Sequence, residues 1–345
     1  MAAVLEALHK VTRREHLCER EAAEVLGEIL RGEATPALIS GLLVGLRMKG
    51  ETVDEVVGFA RAMRAAAAKV ELKSIDPASL VDTCGTGGDG RHSFNISTTS
   101  AFVVAGAGVP VAKHGNRSIS SRCGSADVLE ALGAAVALQP EQVAHCIESV
   151  GIGFLFAPLI HPAMKHAQPT RAELKMRTVF NLLGPLTNPA GAGAQVVGVF
   201  DGDLLSLVAE ALARLGVRRA FVVHGSDGLD EITTSGPTSA REVIDGRVVE
   251  RVFHPEDFGL PLAKLQDLAG GDAEACAAIL QSILNGEKGP RRDIVVANAA
   301  AALVAAGRAR DFRDGASLAV ESIESGRAKE KLEQFVSYTS QLKPD

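Results

Sequence analysis

A glycine-rich stretch, GTGGDGRHSFNISTTS at residues 85–100, is the first part of this sequence that could do chemistry. Exposed backbone N–H groups in such a loop can form a nest for an anion, and the N-terminus of a following helix favours phosphate. Asn95, Ser97 and Thr98 stand where that helix is expected to begin. The stretch lacks the ending of a P-loop and the glycine spacing of a dinucleotide site. It is therefore predicted to bind phosphate in another way, and a tight turn with an ordinary N-cap is the alternative.

Two reactive side chains lie in or beside this loop. Asp89 would repel a phosphate directly, so we expect it to hold a ribose hydroxyl or the loop itself. Cys84 could be a nucleophile, but a small buried side chain at the end of a strand is the interpretation that we favour.

A second stretch, KHGNRSISSRCGSAD at residues 113–127, combines positive charge with hydroxyl groups. The charges belong to Lys113, Arg117 and Arg122, and the hydroxyls to Ser118, Ser120, Ser121 and Ser125. This combination suits a phosphorylated ligand, and a solvated basic loop is the alternative. Its place one strand–helix unit after the glycine loop favours the ligand.

Adjacent carboxylates form a third candidate, Asp230–Glu231 in HGSDGLDEI. Carboxylates are hard oxygen ligands that suit Mg²⁺, which usually keeps waters and bridges to substrate phosphates. A surface acidic pair of no special function is the alternative.

The fourth candidate is a long stretch rich in Pro and Gly at residues 156–193, which is predicted to be a rigid crossing between domains. It carries His161, Lys165, His166, Arg171 and Arg177. Together with His114, its histidines could suggest zinc, but none has a metal-site spacing such as HExxH, so a zinc site is not predicted.

The elements that must position these residues fall into two groups. Residues 1–72 are predicted to form only helices, and Thr35–Pro36 and the capping box of Thr52 and Glu55 mark two helix starts. Residues 73–345 alternate strand, glycine turn and helix, as in LVDTC, VPVAKHG and RAFVVHG with their following helices. This alternation predicts an α/β domain with a mostly parallel central sheet, whose sites lie at the carboxyl ends of the strands.

The composition narrows the class of protein. The 345 residues have room for two domains, and 46% hydrophobic and 23% charged residues are typical of a globular protein. With no Trp, one Tyr and a net charge of −6, neither a stacking platform nor a basic footprint for nucleic acid is expected. The five scattered cysteines indicate reduced thiols in a cytoplasm, and no signal peptide or membrane-spanning run is recognised.

Taken together, the motifs resemble those of the anthranilate phosphoribosyltransferases, which are nucleoside-phosphorylase-like phosphoribosyltransferases. The segments GTGGDG…FNIST, KHGNRSISSRCGSADVLEALG, HPAMK, RTVFNLLGPLTNPA and DGLDEI stand in the order and spacing of that family. The similarity extends to GLLVGLRMKGETVDEVVGFARAMR near the N-terminus, and so over nearly the whole chain.

The resemblance implies transfer of phosphoribosyl from phosphoribosyl pyrophosphate to the amine of anthranilate, with release of pyrophosphate. It also implies Mg²⁺, a homodimer joined through the helical domain, and a hinge at Gly184–Pro185, with residues 168–187 joining the small domain. Because an aromatic amine is already neutral with a free lone pair, it needs positioning more than a base, and no covalent nucleophile is expected.

By the same resemblance, each substrate takes a defined set of residues. The donor set is Gly85, Gly88, Asp89, Ser93, Asn95, Ile96, Ser97, Thr98, Lys113, His114, Gly115, Asn116, Arg117, Ser118, Ile119, Ser120, Ser121 and Ser125. The anthranilate set is Gly85, His114, Asn116, Pro158, His161 and Arg171, and the Mg²⁺ set is Ser97, Asp230 and Glu231. Lys113 and the loop amides would stabilise the departing pyrophosphate.

Two departures from the family pattern are small. Ser93 stands where Thr is more frequent, and Cys276 stands where Asn is usual. Two other interpretations stay open: a pyrimidine nucleoside phosphorylase-like enzyme, and a non-enzymatic nucleic-acid-binding relative. The latter is disfavoured because Asp89, Asp230 and Glu231 are all present and the net charge is negative.

Overall fold

The computed structural model describes residues 2–118 and 122–342. Ile119, Ser120 and Ser121 of the predicted donor set lie outside the described residues, so their assignment stays a prediction.

The N-terminal part is helical, as predicted. Its four helices are α1 (Ala2–Thr12), α2 (Glu19–Leu30), α3 (Pro36–Lys49) and α4 (Val53–Ala66). The predicted helix starts are confirmed: Thr35 accepts a hydrogen bond from the N–H of Leu38, and Thr52 and Glu55 form a capping box. The carboxylate of Glu55 is fully buried, where it pairs with Lys49 and accepts the N–H of Leu17.

The larger part contains a sheet of seven strands and eleven further α-helices among the described residues. The strands are β1 (Val81–Asp82), β2 (Val111–Gly115), β3 (Ile152–Phe156), β4 (Ala194–Gly198), β5 (Arg219–Gly225), β6 (Thr238–Ile244) and β7 (Arg247–Phe253). The helices are α5 (Ile96–Gly106), α6 (Ser125–Ala131), α7 (Pro140–Val150), α8 (Ala157–Ile160), α9 (Gln168–Leu174), α10 (Phe180–Leu186), α11 (Leu205–Arg214), α12 (Ala273–Leu284), α13 (Pro290–Ala305), α14 (Phe312–Glu324) and α15 (Arg327–Ser340).

The strand order is β3-β2-β1-β4-β5-β6-β7, and the first five strands are parallel. The α/β class with a mostly parallel sheet is therefore confirmed. The antiparallel hairpin of β6 and β7 was not predicted, although Asp245–Gly246 between the strands is a hairpin signal. Both of these residues have positive φ, as a type I′ turn requires.

The first strand is shorter than the predicted LVDTC. After Asp82 the chain leaves the ladder, and the hydroxyl of Thr83 donates to the carbonyl of Ser97 at 3.0 Å. This contact joins the residue after β1 to the first turn of α5.

Apolar side chains are packed on both faces of the sheet, and successive residues of a strand face opposite sides. Phe221 and Val223 of β5 pack with α5, α13 and α14, whereas Ala220 and Val222 pack on the side of α11 and the N-terminal helices. Both faces of the sheet are covered, as expected for parallel strands.

The crossing at residues 168–187 consists of helices α9 and α10, which pack against α3 and α4. Leu182 and Leu183 join the same apolar core as the N-terminal helices, and Arg64 of α4 donates to the carbonyl of Leu186 at 2.7 Å. No helix within residues 2–118 and 122–342 is long and apolar enough to cross a membrane.

Candidate functional site

The loops after β1, β2, β4 and β5 bring most of the predicted site residues to one edge of the sheet. These strands are parallel, so their carboxyl ends lie side by side. The glycine loop follows β1, the basic loop follows β2, and the acidic pair lies in the loop after β5.

The glycine loop has a backbone that other residues adopt only with strain. Gly87, Gly88 and Gly90 have φ of 65°, 81° and 71°, in the left-handed region. Beside them, the N–H of Thr86 donates to the carbonyl of Gly198 at 2.8 Å, and its hydroxyl accepts from the N–H of Phe200 at 3.1 Å. The loop is thus anchored on the end of β4.

Arg177 covers this loop, a role that the sequence analysis did not assign. Its guanidinium donates to the carbonyl of Gly88 and stacks over the ring of Phe200, 3.9 Å from the centroid. The cation–π contact orients the guanidinium beside the loop. Arg177 was named among the charged residues of the fourth candidate stretch, but its contact with the glycine loop was not predicted.

The start of α5 connects the loop to the acidic pair. The N–H of Ser97 donates to a carboxylate oxygen of Glu231 at 3.1 Å. The ammonium of Lys113 is buried beneath the loop and donates to the carbonyl of Thr83 at 3.1 Å and to the hydroxyl of Ser97 at 3.4 Å. Its positive charge therefore lies between the loop and the acidic residues.

The acidic residues repel one another. Burial, followed by the charge of Asp89, raises the pKa of Asp230 to about 7. Burial and the charge of Asp230 raise the pKa of Glu231 well above its ordinary value. Asp89 lies within hydrogen-bonding range of Asp230, yet its buried Oδ2 has no donor partner in the described chain. Ionised carboxylates only accept hydrogen bonds, so this contact requires a shared proton or a cation.

The residues of the predicted Mg²⁺ set suit Mg²⁺ better than they suit a metal held entirely by protein ligands. Among the described residues, no three His, Cys, Asp or Glu side chains form a metal-binding group. Mg²⁺ usually binds through one or two carboxylates, with water and substrate phosphates completing its shell. Asp230, Glu231 and the hydroxyl of Ser97 are a set of that kind.

The acidic pair is positioned by a close backbone contact that requires glycine at 198. A Cβ at this position would lie 1.6 Å from the carbonyl oxygen of Asp230. The absence of a side chain on Gly198 lets the loop after β5 pass directly over the end of β4. Gly198 was not predicted as a site residue, since nothing in a strand-end glycine reveals which segment will pass over it.

A buried polar network joins β1 and β2 to Asn188, the residue just after the crossing. The carboxylate of Asp82 accepts the N–H of His114 at 3.1 Å and the side-chain N–H of Asn188 at 2.7 Å. Asn188 also donates to the carbonyl of Ala112 at 2.8 Å. Burial raises the pKa of Asp82, an effect that the charge of Lys113 opposes. The network fixes the ends of the two strands beneath the loops.

Two histidines and an arginine of the predicted anthranilate set occupy places of low polarity. The rings of His114 and His161 are 5.1 Å apart, and the Nδ1 of His114 contacts the carbonyl of Gly184 at 3.0 Å. Burial lowers the pKa of both imidazoles, that of His161 to about 3, so both are neutral near pH 7. Burial also lowers the pKa of Arg171, which stacks over Phe180 and contacts Gln168.

The basic loop is held against α6. Arg117 pairs with Glu130 of that helix, which raises the pKa of the guanidinium, so this charge is directed toward the helix. The N–H of Ser118 donates to Asp127 at 3.0 Å, and the hydroxyl of Ser125 bonds to the backbone of Asn116.

The remaining predicted residues lie at or near the same edge. Ile96 and Thr98 are buried in α5, and Ser93 is bridged to Ala269. Pro158 is exposed in α8, and Gly184 and Pro185 lie within α10. Cys84 is partly exposed rather than buried as predicted, but desolvation raises the pKa of its thiol, which keeps it protonated.

Two family models match the chain. One, described as "Glycosyl transferase family, a/b domain", matches residues 77–329, and the other, "Glycosyl transferase family, helical bundle domain", matches residues 5–67. The anthranilate phosphoribosyltransferase of Solibacter usitatus is 56% identical over 98% of this chain and 99% of its own length. The anthranilate phosphoribosyltransferase of Moorella thermoacetica is 58% identical over 96% of this chain and 97% of its own length.

Solved structures agree with these relatives. The crystal structure of anthranilate phosphoribosyltransferase from Thermus thermophilus superposes with a TM-score of 0.90 at 48% identity, covering 96% of this chain and 99% of that one. The structure of the Saccharomyces cerevisiae enzyme in complex with PRPP and Mg superposes with a TM-score of 0.90 at 27% identity. It covers 99% of this chain and 98% of that one.

Replacing Gly198 with alanine tests the close contact. We expect Gly198→Ala to lower the free energy of unfolding by about 1–3 kcal/mol, because the new methyl group overlaps the carbonyl of Asp230. Urea denaturation measures the change. The control is Gly202→Ala, whose methyl would meet nothing closer than 3.4 Å. Equal stability of the two variants would contradict the assigned contact.

Proposed function

The chain belongs to the glycosyl transferase family, among the anthranilate phosphoribosyltransferases, and we propose which residues bind its two substrates. The glycine loop and the acidic pair bind the phosphoribosyl donor, and Arg171 binds anthranilate. The enzyme transfers the phosphoribosyl group of phosphoribosyl pyrophosphate to the amine of anthranilate and releases pyrophosphate, a step of tryptophan biosynthesis. The reaction uses Mg²⁺.

The proposed assignment of the donor site rests chiefly on one observation: Asp230 lies beside Asp89 of the glycine loop, and its neighbour Glu231 accepts the N–H of Ser97 in the first turn of α5. The carboxylates repel one another there, and the backbone amides of the loop and helix start are nearby. A cation with an attached polyphosphate would relieve both the repulsion and the unpartnered oxygen of Asp89. The donor substrate carries such a polyphosphate.

Ser97, Asp230 and Glu231 would hold Mg²⁺, which when bound neutralises negative charge on the pyrophosphate. The ammonium of Lys113 already donates to protein oxygens, so we assign it a role through charge rather than through direct contact with the leaving group. The loop amides would hold the phosphate oxygens, and the glycines permit the close approach of backbone to ligand. We also propose that Ile119, Ser120 and Ser121 bind the phosphoribosyl donor, as the resemblance implies.

We assign the carboxylate of anthranilate to Arg171. This guanidinium is half-buried, its pKa is lowered by burial, and no acidic partner is recorded for it among the described residues. A desolvated guanidinium gains most from a carboxylate, which it can bind with two hydrogen bonds. The neutral imidazoles of His114 and His161 have buried nitrogens without partners in the described chain and would line the path of the aromatic ring.

The attacking group is the neutral amine, so the protein must position it rather than deprotonate it first. Substrates held in line gain the advantage of an effectively intramolecular reaction. As the pyrophosphate leaves, the ribosyl carbon acquires positive charge in the manner of glycosidic bond cleavage. A protonated Cys84 offers no competing nucleophile at this position.

We also propose the domain division at residue 72, with residues 168–187 joining the helical domain and Gly184–Pro185 as the hinge. The support is that α9 and α10 pack on α3 and α4, while the carbonyl of Gly184 contacts His114 of the site. Motion at this point would therefore be coupled to the anthranilate set.

The helical domain also offers a surface for a second copy of the chain. Leu5 of α1 and Met48 of α3 are 45% and 77% exposed, although the two helices pack on each other. Exposed apolar side chains on adjacent helices favour association, and we propose a homodimer joined through this surface. With its five cysteines outside any disulfide, the enzyme is assigned to the cytoplasm.

Removing the acidic charges tests the metal assignment. We expect Asp230→Asn with Glu231→Gln to raise the Mg²⁺ concentration for half-maximal activity by roughly tenfold or more, since two charged ligands are lost. The assay is the fall in anthranilate fluorescence, which requires phosphoribosyl pyrophosphate and Mg²⁺ and is abolished by EDTA. The control replaces the exposed acids Asp203 and Glu210 in the same way. An unchanged Mg²⁺ requirement in the double variant would remove the pair from the site.

Arg171→Ala tests the acceptor assignment. The loss of a charge-assisted hydrogen bond of about 1.5–3 kcal/mol should raise the KM for anthranilate by roughly 10–100-fold. The KM for phosphoribosyl pyrophosphate should change little. Lys175→Ala, an exposed neighbour, is the control and should leave both values unchanged. Equal increases in the two KM values for Arg171→Ala would contradict its role.

Sedimentation tests the proposed dimer. We expect Leu5→Glu with Met48→Glu to convert the dimer to a monomer, because charges would be buried in the interface. Leu262→Glu, at a 65% exposed position outside the helical domain, should leave the dimer intact. A monomeric wild-type protein, or a dimer that survives the double substitution, would contradict this surface.

A further inference from the structure

Arg177 lies in the crossing, between α9 and α10, and contacts a part of the glycine loop that lies 89 residues earlier in the sequence. Its guanidinium donates to the carbonyl of Gly88 and lies 3.9 Å from the ring centroid of Phe200. A Cβ on Gly88 would lie only 3.5 Å from a terminal nitrogen of Arg177, so the guanidinium packs directly on the loop backbone. No acidic side chain pairs with Arg177 within the described part of the chain. The loop and the aromatic ring, rather than an ion pair, therefore hold this side chain.

The aromatic ring that supports Arg177 is itself fixed to the sheet. The N–H of Phe200 donates to the hydroxyl of Thr86 at 3.1 Å, and the N–H of Thr86 donates to the carbonyl of Gly198 at the end of β4. A guanidinium that stacks on an aromatic face has its plane set by that face. Arg177 therefore approaches Gly88 from one defined direction.

The contact orients a peptide group of the glycine loop. The peptide between Gly88 and Asp89 is trans, so its N–H points away from the carbonyl that Arg177 binds. In residues 2–118 and 122–342, no acceptor is hydrogen-bonded to the N–H groups of Gly88, Asp89 or Gly90. Free N–H groups in a loop of this kind are the donors that an anion nest requires. The guanidinium thus fixes the orientation of one such donor.

Without this contact, the loop has little to keep the peptide in place. Gly88 and its neighbours Gly87 and Gly90 have positive φ, and glycine moves between backbone conformations more readily than any other residue. When a loop is correctly oriented for only a fraction of the time, its apparent affinity for a ligand falls in proportion to that fraction. The side chain of Arg177 can therefore strengthen the binding of a phosphate without touching it.

We propose that Arg177 is a positioning residue, which orders the glycine loop for the phosphoribosyl donor by holding the carbonyl of Gly88. The identity of the ligand rests on the proposed function, whereas the ordering of the loop does not. The crossing then carries one arginine for each substrate. Arg171 binds anthranilate directly, and Arg177 acts on the donor through the loop.

Trypsin tests the order of the loop in the protein without substrates, because Arg91 is an exposed cleavage site within the loop. We expect Arg177→Ala to raise the rate of cleavage after Arg91 by roughly tenfold, since a loop that has lost its contact opens more often. The fragment of residues 1–91, identified by its mass, is the readout. Lys175→Ala removes an exposed cation from the same segment and should leave the rate unchanged. Equal cleavage of the wild-type protein and Arg177→Ala would overturn the proposal, whatever the reaction of the protein.

Steady-state kinetics test what the ordered loop does. Arg177→Ala should raise the KM for phosphoribosyl pyrophosphate by roughly tenfold, and at saturating donor the KM for anthranilate and kcat should change little. This pattern is the reverse of the one expected for Arg171→Ala. An unchanged KM for the donor, or equal increases in both KM values, would overturn the role of Arg177.

Two further variants separate the contact from the charge. Phe200→Leu keeps the charge of Arg177 but removes the aromatic face, and it should also raise the KM for the donor. Adding Phe200→Leu to Arg177→Ala should then have little further effect, because both changes break one interaction. Arg177→Lys keeps the charge without the planar group and should recover only part of the loss. Full recovery in Arg177→Lys, together with a wild-type KM in Phe200→Leu, would show that charge alone acts and would overturn the proposal.

The two kinds of measurement also separate this proposal from the proposed function. A wild-type protein that never consumes anthranilate would overturn the proposed function, and the trypsin experiment would still decide whether Arg177 orders the loop. An active enzyme in which Arg177→Ala changes neither cleavage nor KM would overturn the positioning role and leave the proposed function intact.

Discussion

The close passage of the Asp230 carbonyl over Gly198 is the constraint on which the site depends. It brings the loop after β5 onto the end of β4, where the glycine loop is also anchored through Thr86. Two segments more than 100 residues apart in sequence thereby share one support. Because a backbone-to-backbone contact leaves no room for rotamer adjustment, the carboxylates of Asp230 and Glu231 are held close to α5 before any substrate arrives.

Below the contact between Gly198 and Asp230, buried polar groups that have hydrogen-bond partners support buried polar groups that lack them. Asp82 and Asn188 satisfy each other and the strand ends, which makes the edge of the sheet rigid. Above them, Asp89 and the two histidines keep buried atoms without partners in the described chain. Buried groups of this kind are costly, and a ligand that supplies the missing partners recovers that cost as binding energy. The buried polar atoms that lack partners are therefore concentrated where the two substrates are proposed to bind.

Much of the fold followed from local pattern. The caps at Thr35 and Thr52 depend on neighbouring residues only, and the α/β alternation follows from the period of apolar residues, so both were predictable. The β6–β7 hairpin carried a readable turn signal in Asp245–Gly246 that was not used. The short β1 was not predictable, because the length of a strand depends on its ladder partners, here Val111 and Ala194, which lie far along the chain.

For the site, the sequence by itself determined which residue types were available: glycines for an anion loop, an acidic pair for a cation, and a resemblance that assigned them to two substrates. Tertiary structure alone decided what each side chain touches. It directs Lys113 toward protein oxygens, pairs Arg117 with Glu130 and sets Arg177 over the glycine loop. The physical reason is that these contacts depend on which strands lie side by side and on the space that neighbouring side chains leave. Neither can be read from the spacing of residues along the chain.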